Sequence, residues 1–238
     1  MSALGTIFLT AYADLGRMLK LMPWPVAIIA VVSTAQALVT LLVGTVVTTT
    51  LGQSLASTLC AVGTLYVTAP YSIALYRLVA SGEIVEPRRL RGTPAARLYF
   101  AWSALLAFAA AAIAVVEALV TGLGLAATLF GVLLTFAATV FIFSCIFRTI
   151  TLQPAAALDR PTSLAMAFAQ TRGRFWFTLV TYLATLLPVL APGLLAIQIA
   201  NNPVATLLIA AVIGPTATLL AISLSTQLYL RFTAARAS

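Results

Sequence analysis

The sequence predicts an all-α integral membrane protein of six transmembrane helices arranged as three hairpins, with two amphipathic helices on the cytoplasmic side. Three observations carry this expectation. Hydrophobic residues make up 62% of the 238 residues and charged residues only 8%, where soluble domains carry roughly 25% charged. Apolar stretches of about 20 residues recur, the number that crosses about 30 Å of hydrocarbon at about 1.5 Å per residue. All 13 basic residues fall in alternate joints between those stretches. In lipid every backbone N–H and C=O must be satisfied within the protein, which leaves helices or a closed barrel. A barrel needs short segments of alternating polarity, whereas runs such as Ala104–Val116 are continuously apolar.

Residues 1–20 precede the first span. Leu4, Phe8, Leu15 and Leu19 recur at near-helical spacing, with Thr6, Thr10, Asp14 and Arg17 on other faces. This pattern predicts an amphipathic helix lying in the membrane interface. Pro23 and Pro25 then open the first span, where a missing N–H costs little. Arg17, Lys20, the run Val26–Val32 and Ala35-Gln-Ala37 mimic a cleaved signal peptide, but the apolar run continues through Val47, so retention is expected.

The spans fall at about 24–46, 53–78, 98–120, 125–147, 176–199 and 204–230, in a single polytopic domain. The joints Thr45–Gly52, Thr121–Gly124 and Asn201–Pro203 are short and uncharged, which pairs the spans into hairpins. Basic residues occupy the opposite joints: Arg17 and Lys20; Arg77, Arg88, Arg89, Arg91 and Arg97; Arg148, Arg160, Arg172 and Arg174; Arg231 and Arg236. The positive-inside rule assigns that side to the cytoplasm, with both termini; the membrane expected is the bacterial inner membrane. An odd number of spans would break the partition. A second amphipathic helix is predicted over 163–172, with Pro161 and Ser163 at its start, Leu164 and Phe168 on one face, and Gly173 as its stop.

Spans 2, 4 and 6 each end with a Ser, then an aromatic, then an Arg: Ser72, Tyr76, Arg77; Ser144, Phe147, Arg148; Ser225, Tyr229, Arg231. An aromatic belt with snorkelling arginines is the simpler explanation, and internal duplication the other. Cys60 and Cys145 each lie within an apolar run, where a free thiol behaves as a small hydrophobe.

Several function classes are disfavoured. The net charge of +8 and pI near 10.2 could suggest nucleic acid, but the basic residues sit in short joints and leave no room for a nucleic-acid-binding fold. The chain has no His, the usual metal ligand and proton shuttle. No phosphate-binding Gly-Lys motif, nucleophile elbow or metal-ligand spacing occurs, so no enzyme, cofactor or metal is expected.

Two weaker site expectations remain. Arg88, Arg89, Arg91 and Arg97, with Arg172 and Arg174 at the start of span 5, could meet anionic lipid headgroups. Topology explains basic joints equally well. Glu117 is the one acid inside a span, which makes it a candidate on a transport path. The simpler reading has it near the outer end of span 3, snorkelling to water. Pro188 with Pro192, and Gly214 with Pro215, interrupt spans 5 and 6. Broken helices build substrate sites in transporters, although plain kinks are commoner. The partners expected are membrane lipids, with a membrane-protein partner or a homo-oligomer as a further option.

The block Leu152-Gln-Pro-Ala-Ala-Ala-Leu-Asp-Arg-Pro161, continuing Thr-Ser-Leu-Ala-Met-Ala-Phe-Ala-Gln-Thr-Arg172-Gly-Arg-Phe-Trp176, resembles a group of bacterial six-span proteins. That group includes the membrane domain fused to some glycerophosphoryl diester phosphodiesterases, with stand-alone relatives. The Tyr229-Leu-Arg231 ending is also similar. The resemblance is detailed over these two stretches and elsewhere extends only to span layout. It implies a fold and an accessory or lipid-associated membrane role. It does not imply the phosphodiesterase's chemistry, since the catalytic barrel is absent. A reporter fused to either terminus is expected to read out on the cytoplasmic face; signals from opposite faces would refute the even span count.

Overall fold

A computed structural model describes residues 3–47, 49–124, 128–160, 163–200 and 202–237. Among them there is no strand. Ten helices follow one another: α1 (Ala3–Leu21), α2 (Pro23–Val46), α3 (Thr50–Ser81), α4 (Pro87–Leu90), α5 (Pro94–Gly122), α6 (Leu129–Thr149), α7 (Leu152–Ala157), α8 (Leu164–Thr171), α9 (Phe175–Ala200) and α10 (Pro203–Ala237). Six of them (α2, α3, α5, α6, α9 and α10) are long and apolar enough to cross a membrane. The protein is an all-α membrane protein.

Local chemistry sets the helix starts. Thr49, Thr93, Thr128 and Ser163 each accept a backbone N–H from the first turn of α3, α5, α6 and α8, at 3.3, 3.2, 3.1 and 3.2 Å. Such caps satisfy amides that have no helical partner. Pro23, Pro87 and Pro94 occupy first-turn positions, where no N–H is needed. Gly173 ends the α8 segment at φ 73°, a conformation that a side chain would strain. The expected helix start at Pro161, the expected opening of span 4 at Leu125, and Asn201 of the last outer turn lie outside the described residues.

The helices pair as α2 with α3, α5 with α6 and α9 with α10, and these hairpins join through α3 against α5 and α10 against α2. The hairpin ends that carry the basic joints are closely packed. Ile73, Leu75, Tyr76 and Leu78 of α3 and Leu220, Leu224, Leu228 and Phe232 of α10 are fully buried there. Half of the apolar window of α3 is buried, against 6% for α5 and α6, so α3 is central and α5 and α6 turn most of their side chains outward. Phe108, Phe130, Phe136 and Phe141 lie on that outward surface, suited to lipid chains.

Three expectations are corrected. First, α1 does more than lie in an interface. Ile7, Ala11, Asp14 and Met18 form its buried face, whereas Leu19 is 52% exposed. The helix docks on α9 and α10, and the Tyr12 hydroxyl donates to the Thr185 carbonyl at 3.0 Å. Desolvation pushes the Tyr12 phenol above its ordinary value. Asp14 is not at an open edge but 4% exposed. Its Oδ2 accepts from Ser223 Oγ at 2.8 Å and Gln227 Nε2 at 2.9 Å, and Arg17 stands 3.6 Å from its Oδ1. The buried acid is tolerated because Ser223 and Gln227 donate to it and Arg17 stands beside it.

Second, spans 5 and 6 are not broken. α9 runs through Pro188 and Pro192, and α10 through Pro215, without interruption. Each proline removes one backbone bond, a loss that surrounding helices absorb. A Cβ on Gly193 would stand 1.7 Å from Ile213 Cδ1, so the two helices cross closely at that point.

Third, the basic joint between α6 and α9 holds a helix over residues 152–157 in addition to the one expected over 163–172. This helix, α7, is inserted among α3, α5 and α10, with Leu152, Ala156 and Ala157 almost wholly buried. Small side chains let this short helix fit. It ends with Asp159 N–H donating to Ala156 O at 3.2 Å and Arg160 N–H to Ala155 O at 3.0 Å. This double closure places Asp159 in the left-handed region at φ 54°. Arg77 of α3 locks the turn, donating from Nε to the Ala157 carbonyl at 3.1 Å and pairing with the Asp159 carboxylate. Asp14→Ala leaves Ser223 and Gln227 without their acceptor. It is expected to cost about 1–3 kcal/mol, read as a lower detergent-solubilised Tm and faster tryptic cleavage after Arg17 and Lys20.

Candidate functional site

The basic end carries two kinds of polar structure: a buried network that holds the helices, and grooves lined by arginines. The network starts from the Ser-aromatic pattern at the ends of spans 2 and 6. Tyr76 of α3 and Ser225 of α10 share a hydrogen bond of 3.0 Å. The Tyr76 hydroxyl also reaches Gln153 Oε1 at 3.4 Å, and Gln153 Nε2 donates to Ser103 Oγ at 3.0 Å. The Tyr99 ring packs edge-on to Tyr76 with centroids 5.7 Å apart, and Tyr182 of α9 is buried nearby. Side chains of α3, α5, α7 and α10 therefore meet in one hydrogen-bonded cluster. The third copy of the pattern does something else. Phe147 packs edge-on to Phe175 and Tyr182, with ring centroids 6.3 and 5.6 Å apart.

Carboxylates neutralise only part of the basic charge. Arg17 pairs with Asp14, Arg77 with Asp159, and Arg89 with Glu86 at 3.5 Å on the surface. Among the described residues, Arg88, Arg91, Arg97, Arg172, Arg174 and Arg231 form no ion pair. The excess cations thus lie in the joints where lipid headgroups would be met.

Two of them shape a groove between α3 and α5 of about 560 Å³. Tyr66, Val67, Ala69 and Pro70 of α3 form one wall, Ala96, Arg97 and Phe100 of α5 the other, and Arg91 with Gly92 closes one end. Arg91 Nη2 donates to the Tyr71 hydroxyl at 3.0 Å, which fixes the guanidinium at the rim. Gly92, at φ 73°, makes the turn that brings Arg91 back over α3 before Thr93 caps α5. Tyr66 and Phe100 meet edge to face at 5.5 Å and form an aromatic wall. Pro70 leaves the Tyr66 carbonyl without its helical amide. Cations at one end and rings at the other suit an amphiphile with an anionic head: arginine offers paired N–H donors to a phosphate, and the rings offer apolar contact.

The residues singled out from sequence are not all brought together. Arg91 and Arg97 share the groove. Arg88 and Arg89 sit exposed beside it, Arg89 already paired. Arg172 is exposed at the α8–α9 turn, and Arg174 lies over the Phe232 ring at 5.0 Å. Glu117 is exposed in a separate groove between α5 and α6, beside Thr121, Gly131 and Thr135. Pro188 is exposed on α9 and Pro215 buried on α10. Neither lines the groove of about 850 Å³ that α9 and α10 form with α2, although their neighbours Leu190, Gly193 and Gly214 do. Sequence reasoning missed Tyr66, Tyr71 and Phe100, because single aromatics in an apolar run carry no positional signal. Ser33, Gln36 and Thr40 of α2, at helical spacing, line the larger groove and could have been read as one polar face.

No family model matches the chain, and neither curated proteins nor solved structures yield a match. Tyr76→Phe and Ser225→Ala are each expected to cost about 1 kcal/mol, with a coupling near 0.6 kcal/mol in the double mutant. Additive losses in a detergent unfolding titration would show that the Tyr76–Ser225 bond contributes nothing to stability.

Proposed function

We propose that this is a non-catalytic multi-pass protein of the bacterial inner membrane, with both termini cytoplasmic. It acts in lipid or envelope homeostasis, or as an accessory to a membrane complex, by engaging anionic lipid at its basic end. The observation that carries this reading is the α3–α5 groove, where two arginines without carboxylate partners stand above an aromatic wall. The confinement of all 13 basic residues to alternate joints supports the orientation. The resemblance of the 152–176 block to phosphodiesterase-linked membrane domains points to the same class of role. Outward-facing α5 and α6 offer a surface for a membrane-protein partner or a second copy.

A small transporter or channel is the second reading. The groove among α2, α9 and α10 favours it, with Ser33, Gln36, Thr40 and Thr218 on its walls. Glu117 and the prolines of α9 and α10 contribute less, since they share no cavity. Solute flux into proteoliposomes that survives Glu117→Gln would remove the proton-coupled version of this second reading.

Native mass spectrometry from nanodiscs tests the first reading. The protein is expected to retain phosphatidylglycerol over phosphatidylcholine, and Arg91→Gln with Arg97→Gln to reduce that retention by about thirtyfold, at about 1 kcal/mol per arginine. Equal retention of the two lipids, or an unchanged ratio in the double variant, would count against an anionic-lipid role for this groove.

A further inference from the structure

A smaller groove, of about 320 Å³, lies at the basic end between the first turn of α9 and the last turns of α10. Four residues line it, and they are cross-stacked. Arg174 at the head of α9 lies over the Phe232 ring of α10, with Cζ 5.0 Å from the centroid. Arg231 of α10 lies over the Phe177 ring of α9 at 5.4 Å. Each helix supplies one guanidinium and the ring that supports the other. Phe232 is 2% exposed, so the floor under Arg174 is fixed in the core. Stacking satisfies the face of a guanidinium and leaves its in-plane N–H groups free.

Neither side chain has a carboxylate or hydrogen-bond acceptor among the described residues, and α9 has no acid in its first turn. Two positive charges thus face one groove, beside the positive end of a 26-residue helix. A phosphodiester headgroup brings a single negative charge and cancels one of them. A phosphomonoester carries about −1.5 to −2 near neutral pH and three terminal oxygens, enough to engage two arginine forks at once. Trp176, 72% exposed on the same turn of α9, gives an interfacial ring beside the site.

We propose that Arg174 and Arg231 hold the phosphomonoester headgroup of an anionic lipid, the chemistry of phosphatidic acid, and that this headgroup bridges α9 to α10. The proposal rests on the anionic-lipid reading but on residues separate from the Arg91–Arg97 groove. Its sequence trace is the arginine that ends span 6 and the one that opens span 5, which only the fold brings together.

The test uses the full chain in phosphatidylcholine nanodiscs doped with either phosphatidic acid or phosphatidylglycerol, read by native mass spectrometry. The wild-type protein is expected to retain phosphatidic acid over phosphatidylglycerol by about fivefold, the return of one added charge contact at about 1 kcal/mol. Arg174→Gln with Arg231→Gln should bring that ratio near one. Arg91→Gln with Arg97→Gln should lower both lipids in parallel and leave the ratio intact. A wild-type ratio of one, or a ratio unchanged by the Arg174 and Arg231 substitutions, overturns the proposal. Loss of effect in the Arg91 and Arg97 variant alone sinks only the other groove. Should the glutamine variant not fold, Arg174→Lys with Arg231→Lys keeps both charges and removes the forks; the ratio should fall about threefold, and no change overturns the proposal. Added inorganic phosphate should leave bound phosphatidic acid in place. Displacement by equimolar phosphate would assign the site to soluble phosphate and overturn the lipid assignment.

Discussion

Hydrocarbon offers no hydrogen-bond partner, so each polar group placed among these helices must find one in the protein or stay at the rim. That constraint shapes the whole molecule. Along the outward faces of α5 and α6 it is met by exposing mostly apolar side chains, while Trp102 Nε1 of α5 and Arg148 Nε of α6 are buried without a hydrogen-bond partner among the described residues. At the basic end it is met by a cluster in which Tyr76, Ser225, Gln153 and Ser103 answer one another across helices that are distant in sequence. The apolar effect alone gives little reason for one helix to prefer another in lipid, because lipid tails are as apolar as leucine. Directional bonds between hydroxyls and amides supply that preference, and they coincide with the part of the bundle where the core is fully buried.

The same constraint explains why the charged groups divide into two populations. Asp14, Arg17, Arg77 and Asp159 are structural. Asp14 ties α1 to α10, while Arg77 and Asp159 close the turn after α7. Arg91, Arg174 and Arg231 are held by aromatic groups instead, a hydroxyl for Arg91 and ring faces for Arg174 and Arg231. An arginine oriented by a ring keeps its charge uncompensated. In the proposed role it is left to meet an anion from outside the chain, a lipid phosphate. This division links packing to the proposed role: the paired charges build the end of the bundle, and the unpaired ones give it something to bind.

The two elements expected to lie flat in the interface show how folding adds to amphipathicity. A helix with a polar and an apolar stripe satisfies an interface, but α1 has a third, narrower stripe of Ile7, Ala11, Asp14 and Met18 that α9 and α10 cover. The α8 segment likewise buries Ala167 and Thr171 rather than Leu164, and Thr171 Oγ1 donates to the Arg148 carbonyl at 3.3 Å. On α8 the small or hydrogen-bonding residues face protein while Leu164 and Met166 face outward, whereas α1 buries the large Ile7 and Met18 along with Ala11 and Asp14.

The sequence by itself determined the class, the number of spans, their pairing into hairpins and the start of α8. These depend on local properties: run length, the cap at Ser163, and the segregation of Lys and Arg. It also pointed to Arg91, Arg97 and Arg174, because basic residues near span ends are visible one at a time. Only the tertiary structure decided that Asp14 is buried, that α7 is an insert in the core, that Pro188 and Pro215 leave their helices whole, and that Arg231 meets Phe177 while Arg174 meets Phe232. Each of these depends on which faces of distant helices meet. Membrane helices are apolar on every side, so the periodicity that reveals a buried face in a soluble protein is nearly silent here.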